Sequence, residues 1–421
     1  MRHPIRTLVL VAVVGAFAGE ARGEDAPSVD ELVARALERA PSLTALRARA
    51  EAAKEEVGPA GVMPDPTLEF LYQDINFPEY TVGEEEMSLI GVELRQPLPF
   101  FGKRGARREA ARAQATLREN ERAEMERNVA FVVRRLYAQI YAVDRARESL
   151  TAAAEFLDLL QETITARYSA GQVELADQVK AQLQVSRVRE RLDDLEAERA
   201  ALVAAMNRYL DQPTGAPLGR VTSLPEVPPP AAGWDSLALQ RSPRLATSGA
   251  AVSAAAAKVG AARKEGPTDF FVGAGYAYRG DLDYLGTLRI GTELPFWRGG
   301  RTKPLVRAAE KELEMARAEQ RDAEAATRAE VARLTAFWTR SEAQVRRYRE
   351  AFLPQSSAAL DAARATYLAG RGDFPAVIEG FETWLDSRMQ LARREAERYT
   401  TWAEIEALVP PPSPAPGEEK P

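Results

Sequence analysis

The chain has 421 residues and a formal net charge of −6, with 56 lysine and arginine residues against 62 acidic ones. It contains no cysteine, and its single histidine is His3. Nucleophilic sites that need cysteine or histidine, and zinc sites built on them, are therefore excluded from the body of the chain. The acidic balance argues against nucleic-acid binding, which requires a basic face. We expect a protein that is not an enzyme and has no cofactor or resident metal site.

Residues 1–18 have the plan of a secretory signal peptide. Arg2 and Arg6 precede a short apolar run from Leu8 to Phe17, and Ala18 completes a small-residue cleavage site. The run is too short for a spanning helix, and no other segment approaches the ~18 apolar residues that one needs. The sequence predicts an exported protein, cleaved after residue 18 or as late as about residue 23. A buried first helix is the alternative.

The rest of the chain contains an internal duplication. The segment GVEL at 91–94, followed by PFF at 99–101, recurs as GTELPFW at 291–297. The segment ARYSAG at 166–171 recurs as ATYLAG at 365–370. Such a duplication indicates one structural unit used twice. We predict a first repeat at 24–210, a proline-rich linker at 211–233, a second repeat at 234–409 and a disordered tail at 410–421.

Helical periodicity dominates both repeats. It predicts helices over 29–57, 103–170 and 172–210, and then over 234–259, 301–369 and 373–408. A helix of about 68 residues extends roughly 100 Å. In each repeat the two shorter helices together match the long one, so we expect them to stack end to end along it. Pro354 lies inside the second long helix, where it should remove one backbone hydrogen bond and bend the helix.

Between the short and the long helix, each repeat has two runs that alternate apolar side chains with polar or small ones. They lie at 68–73 and 90–95, and at 270–278 and 288–294. This pattern and length are typical of strands that cross an outer membrane, although a two-sided soluble sheet is the alternative. Four strands cannot close a barrel, and an open edge in lipid is costly. Other copies of the chain must therefore complete it. We expect the hairpin loops at 76–86 and 279–283 to face the cell exterior.

Three short motifs carry a resemblance to a known family. RYSAG at 167–171 and TYLAG at 366–370 form the two hairpin turns, and LPQ at 353–355 precedes the second. Placed in a duplicated frame, they resemble the TolC family of outer-membrane efflux proteins over about residues 25–409. The resemblance implies a homotrimer of mostly α-helical chains, each with long antiparallel coiled-coil helices and four β-strands. Together the chains would close a twelve-strand β-barrel above a twelve-helix α-barrel.

The resemblance also implies a function. The protein would be a passive exit duct in the cell outer membrane, embedded in outer-membrane lipid, with most of the chain projecting into the periplasm. It would couple to an inner-membrane RND pump through a periplasmic adaptor (membrane fusion) protein. The segment ELRQPLPFFGKR at 93–104 is similar to the branch that serves heavy-metal cation efflux. A drug or protein export duct of the same family is one alternative. A periplasmic adaptor or a coiled-coil structural protein is another, but an adaptor would have one helical hairpin between nested β-domains.

In the family, acidic residues just past the second hairpin turn ring the narrow periplasmic tip. Glu379 occupies one such position, whereas Ala376 replaces the acid at the other. A trimer would then carry a ring of three carboxylates, which would raise the local concentration of cations. Asp373 and Asp177 are further candidates for the gate and its selectivity. For each acid, a solvated helix face is the alternative.

Two more groups of candidate residues follow from the same resemblance. The hairpin tips would dock the adaptor, and their glycines should end the long helices in a left-handed conformation. These tip residues are Tyr168, Gly171, Tyr367 and Gly370. The chain should pass from barrel to helix at Pro99, Gly102, Lys103, Arg104, Pro295, Gly299 and Gly300.

Overall fold

The computed structural model describes residues 26–74, 82, 86–171, 174–294 and 296–409. The predicted signal peptide, the predicted tail, most of the 76–86 hairpin and Pro295 lie outside the described residues.

Each repeat begins with two helices where the sequence predicted one. The first repeat has α1 (Val29–Arg39) and α2 (Pro41–Glu55). Proline is the first residue of α2, and it drives the residue before it out of the helical region. Accordingly, Ala40 has ψ 121°. The uninterrupted helix predicted over 29–57 is therefore wrong at this point.

The second repeat breaks in the same way and for the same reason. Its opening helices are α5 (Trp234–Arg241) and α6 (Pro243–Lys264), and Ser242 before the proline has ψ 128°. The single helix predicted over 234–259 is wrong here too. A local signal, proline at the first helical position, could have found both breaks.

The two long helices differ in continuity. In the first repeat, α3 (Lys103–Ser169) runs for 67 residues without interruption. In the second, α7 (Arg298–Arg347) and α8 (Leu353–Leu368) are separated by a π-helical turn, Tyr348–Phe352. Leu353 N–H donates to the Tyr348 carbonyl, five residues back. Pro354 has no N–H, and its ring would clash with the carbonyl four residues earlier, so a widened turn accommodates it. The sequence predicted a lost hydrogen bond and a bend at Pro354 within one helix over 301–369, whereas the structure divides that helix by a π-helical turn.

Helix α3 lies at the centre of the chain. It packs against α1, α2 and α4 of its own repeat, and against α6 and α9 (Phe374–Leu408) of the other. Helices α7 and α8 pack against α5, α6 and α9. The shorter helices thus follow one another along the long ones, with α4 (Leu175–Leu210) beyond α2 and α9 beyond α6.

The four strands form one antiparallel sheet in the order β1 (Thr67–Gln73), β2 (Leu89–Leu98), β3 (Phe270–Arg279) and β4 (Leu282–Thr292). Pairing of β2 with β3 joins the two repeats. Strand β4 begins earlier than predicted, so the second hairpin turns at 280–281 and the expected loop over 279–283 is too long. Along the outer edges of β1 and β4, no strand among the described residues is paired.

The segment 211–233 is part of the helical body. Its Leu218, Val221 and Val227 side chains are buried in the same core cluster as α1, α3 and α4. Asp144 of α3 anchors the segment, because its Oδ2 accepts from the Val221 N–H at 2.9 Å while Oδ1 accepts from Arg199 Nε at 2.6 Å. Arg199 also donates to the Gly219 carbonyl at 2.8 Å. The segment therefore links the repeats as a packed element.

Candidate channel wall, junction and helix tips

The two faces of the sheet differ in chemistry. Strand register places Phe70, Val92 and Tyr276 side by side on one face. This face is apolar and exposed, with Phe70 80% and Ile290 77% exposed. The opposite face carries charged and small residues from all four strands. An apolar outer face and a polar inner face are what a strand between lipid and a water-filled lumen requires.

An ion cluster around a buried lysine marks the first junction between sheet and helix. Gly102 adopts φ +86° as the N-cap of α3, and Lys103 follows with almost no exposure. Its Nζ lies 2.7 Å from Asp269 Oδ1, and the Phe100 N–H donates to the same oxygen at 2.8 Å. Arg107 Nε donates to Glu265 Oε1 at 2.6 Å. Both acids belong to the second repeat, so the cluster ties the repeats together.

The remaining predicted junction residues are less engaged. Arg104 Nε donates to the Gly61 carbonyl at 2.9 Å, and Pro99 is half-buried just before the cluster. In the second repeat, Gly299 and Gly300 lie in the first turn of α7, and a Cβ added to either would meet nothing within 4 Å. The sequence reasoning missed Asp269 and Glu265, because nothing local marks an acid between α6 and β3 as the partner of a lysine about 160 residues away.

Both hairpin tips end their long helix at a glycine in the predicted left-handed conformation. Gly171 has φ +70° and Gly370 has φ +71°. The Gly370 N–H donates to the Tyr367 carbonyl at 3.0 Å and the Arg371 N–H to the Thr366 carbonyl at 3.1 Å. This pair of bonds is the Schellman motif, which satisfies the last carbonyls of α8.

The two tips are joined by a residue that the sequence reasoning missed. Arg167 at the end of α3 donates to the Tyr367 and Leu368 carbonyls at 3.2 and 3.1 Å. Its guanidinium carbon also lies 4.8 Å from the centroid of the Tyr367 ring. Tyr367, which also packs against Phe374, is 3% exposed, whereas its counterpart Tyr168 is 42% exposed. A basic residue in the last helical turn can be recognised from local sequence, but its partner on the other hairpin cannot.

The predicted gate acids have different surroundings. Asp373 is the N-cap of α9, and its Oδ1 accepts from the Ala376 N–H at 3.3 Å. Glu379 is exposed on α9, and Asp177 is partly buried in the first turn of α4. A further acid near the tip, Glu382, accepts from Gln184 Nε2 of α4 at 2.9 Å. Within the single chain, the Asp373 side chain caps α9, whereas the Glu379 side chain is exposed.

Charged pairs also hold α9 against the long helices. Arg333 of α7 lies 2.5 Å from Glu330 and 2.6 Å from Glu404 of α9. The hydrogen bond from Arg333 lowers the pKa of Glu330, while burial raises the pKa of Glu404. Near the π-helical turn, Glu395 of α9 accepts from both Tyr141 and Arg349, and burial raises the pKa of Tyr141. Of these contacts, only the hydrogen bond from Tyr141 to Glu395 joins the two repeats.

Two features are absent from the described ranges of the chain. No helix there combines the length and apolarity needed to cross a membrane. No group of three or more histidine, cysteine or acidic residues there is arranged to hold a metal ion.

The family model described as "Outer membrane efflux protein" matches residues 32–211 and 234–409. The chain belongs to this family. Among proteins with curated descriptions, none matches the chain.

Solved structures of outer-membrane channels have the same fold. VceC of Vibrio cholerae, an outer membrane protein, is 19% identical over 90% of this chain and 95% of its own, with a TM-score of 0.75. CusC, described as forming a transmembrane channel, is 17% identical over 90% and 92%, with a TM-score of 0.77. The MtrE outer membrane channel of Neisseria gonorrhoeae is 16% identical over 91% and 89%, with a TM-score of 0.72.

Proposed function

We propose that three copies of this chain form an exit duct through the outer membrane, serving as the last component of a tripartite efflux pump. The proposal rests on the sheet, which has one exposed apolar face, one polar face and, among the described residues, two unpaired edges. Unpaired edges in lipid cost several kcal/mol per backbone group, so other copies must pair with β1 and β4. The helices then continue the barrel as a tunnel into the periplasm. The duct is passive and takes its energy from its partners.

The mature protein purified in detergent tests the assembly directly. We expect a trimer by light scattering, with migration on gels that changes after heating. A monodisperse monomer that keeps its β-sheet circular-dichroism signal would contradict the proposal. Membrane fractionation separates the alternative class, because a periplasmic adaptor or a structural coiled coil would not be extracted with outer-membrane proteins.

The hairpin tips are the proposed docking site for a periplasmic adaptor, which links the duct to an inner-membrane RND pump. Tyr168 is exposed beside Gly171, so it offers the adaptor an aromatic contact. Valine at Gly171 or Gly370 is strained at positive φ and should distort the tip. We expect Gly171→Val and Gly370→Val to weaken adaptor crosslinking and transport while leaving trimer assembly intact. Gly215→Val, at an uncrowded glycine of the 211–233 segment, is the control.

We further propose that the cargo is a heavy-metal cation and that Glu379 favours cations at the closed tip. The support is the resemblance of segment 93–104 to the metal branch and the exposed carboxylate of Glu379. Glu379→Ala should lower cation preference in bilayer conductance, whereas Glu174→Ala at the start of α4 should not. Asp373 and Asp177 are weaker candidates for the same role. Expression in a host lacking its own exporters separates metal resistance from drug resistance, which is the alternative cargo.

A further inference from the structure

The polar face of the sheet contains an ion pair that reaches across a whole strand. Glu93 of β2 is 2% exposed, and its Oε2 lies 3.0 Å from the nearest guanidinium nitrogen of Arg289 on β4. Strand β3 lies between them, with Gly275 opposite Glu93 and Gly273 opposite Arg289. The two charged residues belong to different repeats. The Glu93 carboxylate can reach Arg289 across β3 only if the β3 residues beneath it are small.

Two glycines provide that room. A Cβ built on Gly273 would lie 3.0 Å from Glu93 Oε1, and one built on Gly275 would lie 2.5 Å from the Thr287 hydroxyl and 3.5 Å from Glu93 Cβ. Glycine within a strand weakens it and marks a place where another group approaches closely. Here the approaching group is the Glu93 side chain, which lies over the backbone of β3.

A second arginine lies in the same row. Arg95 is opposite Gly273 from the β2 side, as Arg289 is from the β4 side. Its guanidinium carbon stacks 3.8 Å from the centroid of Phe271, which also belongs to this face. The side chain of Arg289 is 55% exposed, so it projects from the sheet beyond the carboxylate that it pairs with. Glu69 lies beside Glu93 in the next row.

We propose that Arg95 and Arg289 form a positively charged band in the lumen of the closed barrel, and that Glu93 offsets part of its charge and thereby sets the ion selectivity of this end of the duct. The inference rests on the proposed channel function, since only a closed barrel gives this face a lumen. Two arginines per chain become six in a three-fold assembly, on a ring with low-dielectric walls. Charge on such a ring strongly controls which ions enter. With Glu93 in place, cations are not excluded.

Purified trimers in planar bilayers under a potassium chloride gradient test this through the reversal potential. Glu93→Gln unmasks the arginines, and we expect the cation-to-anion permeability ratio to fall about twofold or more. Arg289→Gln should raise the ratio, and the double variant should return toward the wild-type value. Arg289→Lys keeps the charge and should remain near wild type. Glu226→Gln, an exposed acid of the 211–233 segment, is the matched control and should change nothing.

The outcomes separate this inference from the function on which it rests. A wild-type protein that forms no channels would overturn the proposed function, and with it the lumen. Channels of normal conductance whose ratio responds to neither Glu93→Gln nor Arg289→Gln would overturn the inference alone, leaving the pair as a structural brace. If Glu93→Gln fails to assemble, the contrast between Arg289→Gln and Arg289→Lys still decides, because both keep the acid.

Discussion

The long helices of the two repeats have related sequences but very different surroundings. Helix α3 contacts the shorter helices of both repeats and buries large side chains along its length, such as Ile140 and Leu157. Among the described residues, helix α7 packs mainly against helices of its own repeat, and many of its buried positions are alanines: Ala309, Ala316 and Ala323. The duplication therefore preserves the order of elements but not their contacts. The first repeat forms the centre of the chain and the second long helix forms its edge, where a neighbouring copy would pack in the proposed trimer.

The same asymmetry recurs at both ends of the repeats. Lys103 at the start of α3 is buried against acids of the second repeat, whereas a Cβ added to Gly299 or Gly300 at the start of α7 would meet nothing within 4 Å. At the tips, the Arg167 guanidinium lies over the ring of Tyr367, whereas the Tyr168 side chain is exposed. At both places the more engaged residue is held by a residue of the other repeat. Substitutions at matched positions should reveal this difference in stability.

The largest contrast is expected between two interhelical ion pairs. Asp144 of α3 is buried and bridged to Arg199 of α4, whereas Glu342 of α7 meets Arg398 of α9 at 3.4 Å in a half-exposed position. Asp144→Ala leaves a largely buried arginine unpaired and should cost about 3–5 kcal/mol. Glu342→Ala should cost less than about 1 kcal/mol. Urea unfolding of the detergent-solubilised protein, followed by helical circular dichroism, measures both, and equal losses would contradict the asymmetry.

The second contrast is between the two barrel-to-helix junctions. Lys103→Met removes the buried cation that Asp269 and Glu265 face, and because those acids are about a third exposed we expect a loss of about 2 kcal/mol. Gly300→Ala adds a methyl group in open space within a helix, so it should be neutral or stabilising by up to about 1 kcal/mol. Thermal unfolding of the purified protein compares them. A Lys103→Met variant as stable as wild type would show that the cluster contributes nothing.

Glycine-to-alanine substitutions should change stability in opposite directions at the helix tips and within α6. Gly171→Ala and Gly370→Ala place a side chain at positive φ, and each should destabilise its tip by about 1 kcal/mol. Gly260→Ala, in the interior of α6 with nothing near the added methyl group, should stabilise its helix by about 0.5–1 kcal/mol. Amide hydrogen exchange in each segment measures the local change. Similar losses at 171 and 370 would mark the caps as a feature that the two repeats share.

The smallest effect concerns pH. Burial raises the pKa of Glu406 on α9 above its ordinary value of 4.5, even though Arg134 and Arg127 of α3 act in the opposite direction. The folded protein therefore favours the neutral acid, and this contribution is lost as the pH rises above about 4.5 through the folded-state pKa. Because the site is only half-buried, Glu406→Gln should stabilise by no more than a few tenths of a kcal/mol at pH 7.5. At pH 4 we expect no difference. Melting temperatures at both pH values provide the measurement.

Local signals in the sequence predicted most of the fold. The length and period of α3, the alternation in the strands, a disturbed helix at Pro354 and the glycine caps all depend on residues that are close together in the chain. The helix breaks at Pro41 and Pro243 belong to the same class, and the sequence reasoning overlooked them although the signal was present. The prediction failed only modestly at strand and helix ends, where tertiary contacts extend or shorten an element.

By itself, the sequence determined the duplication, the order of the elements and the four strands with one apolar face, because periodicity and chain order are local or repeated properties. Only the tertiary structure decided which of the candidate residues are engaged. Lys103 with Asp269, Arg167 with Tyr367 and Glu93 with Arg289 are each far apart in the chain. Their meeting depends on how the second repeat packs against the first, and a nearly symmetric sequence contains no local signal for that asymmetric packing.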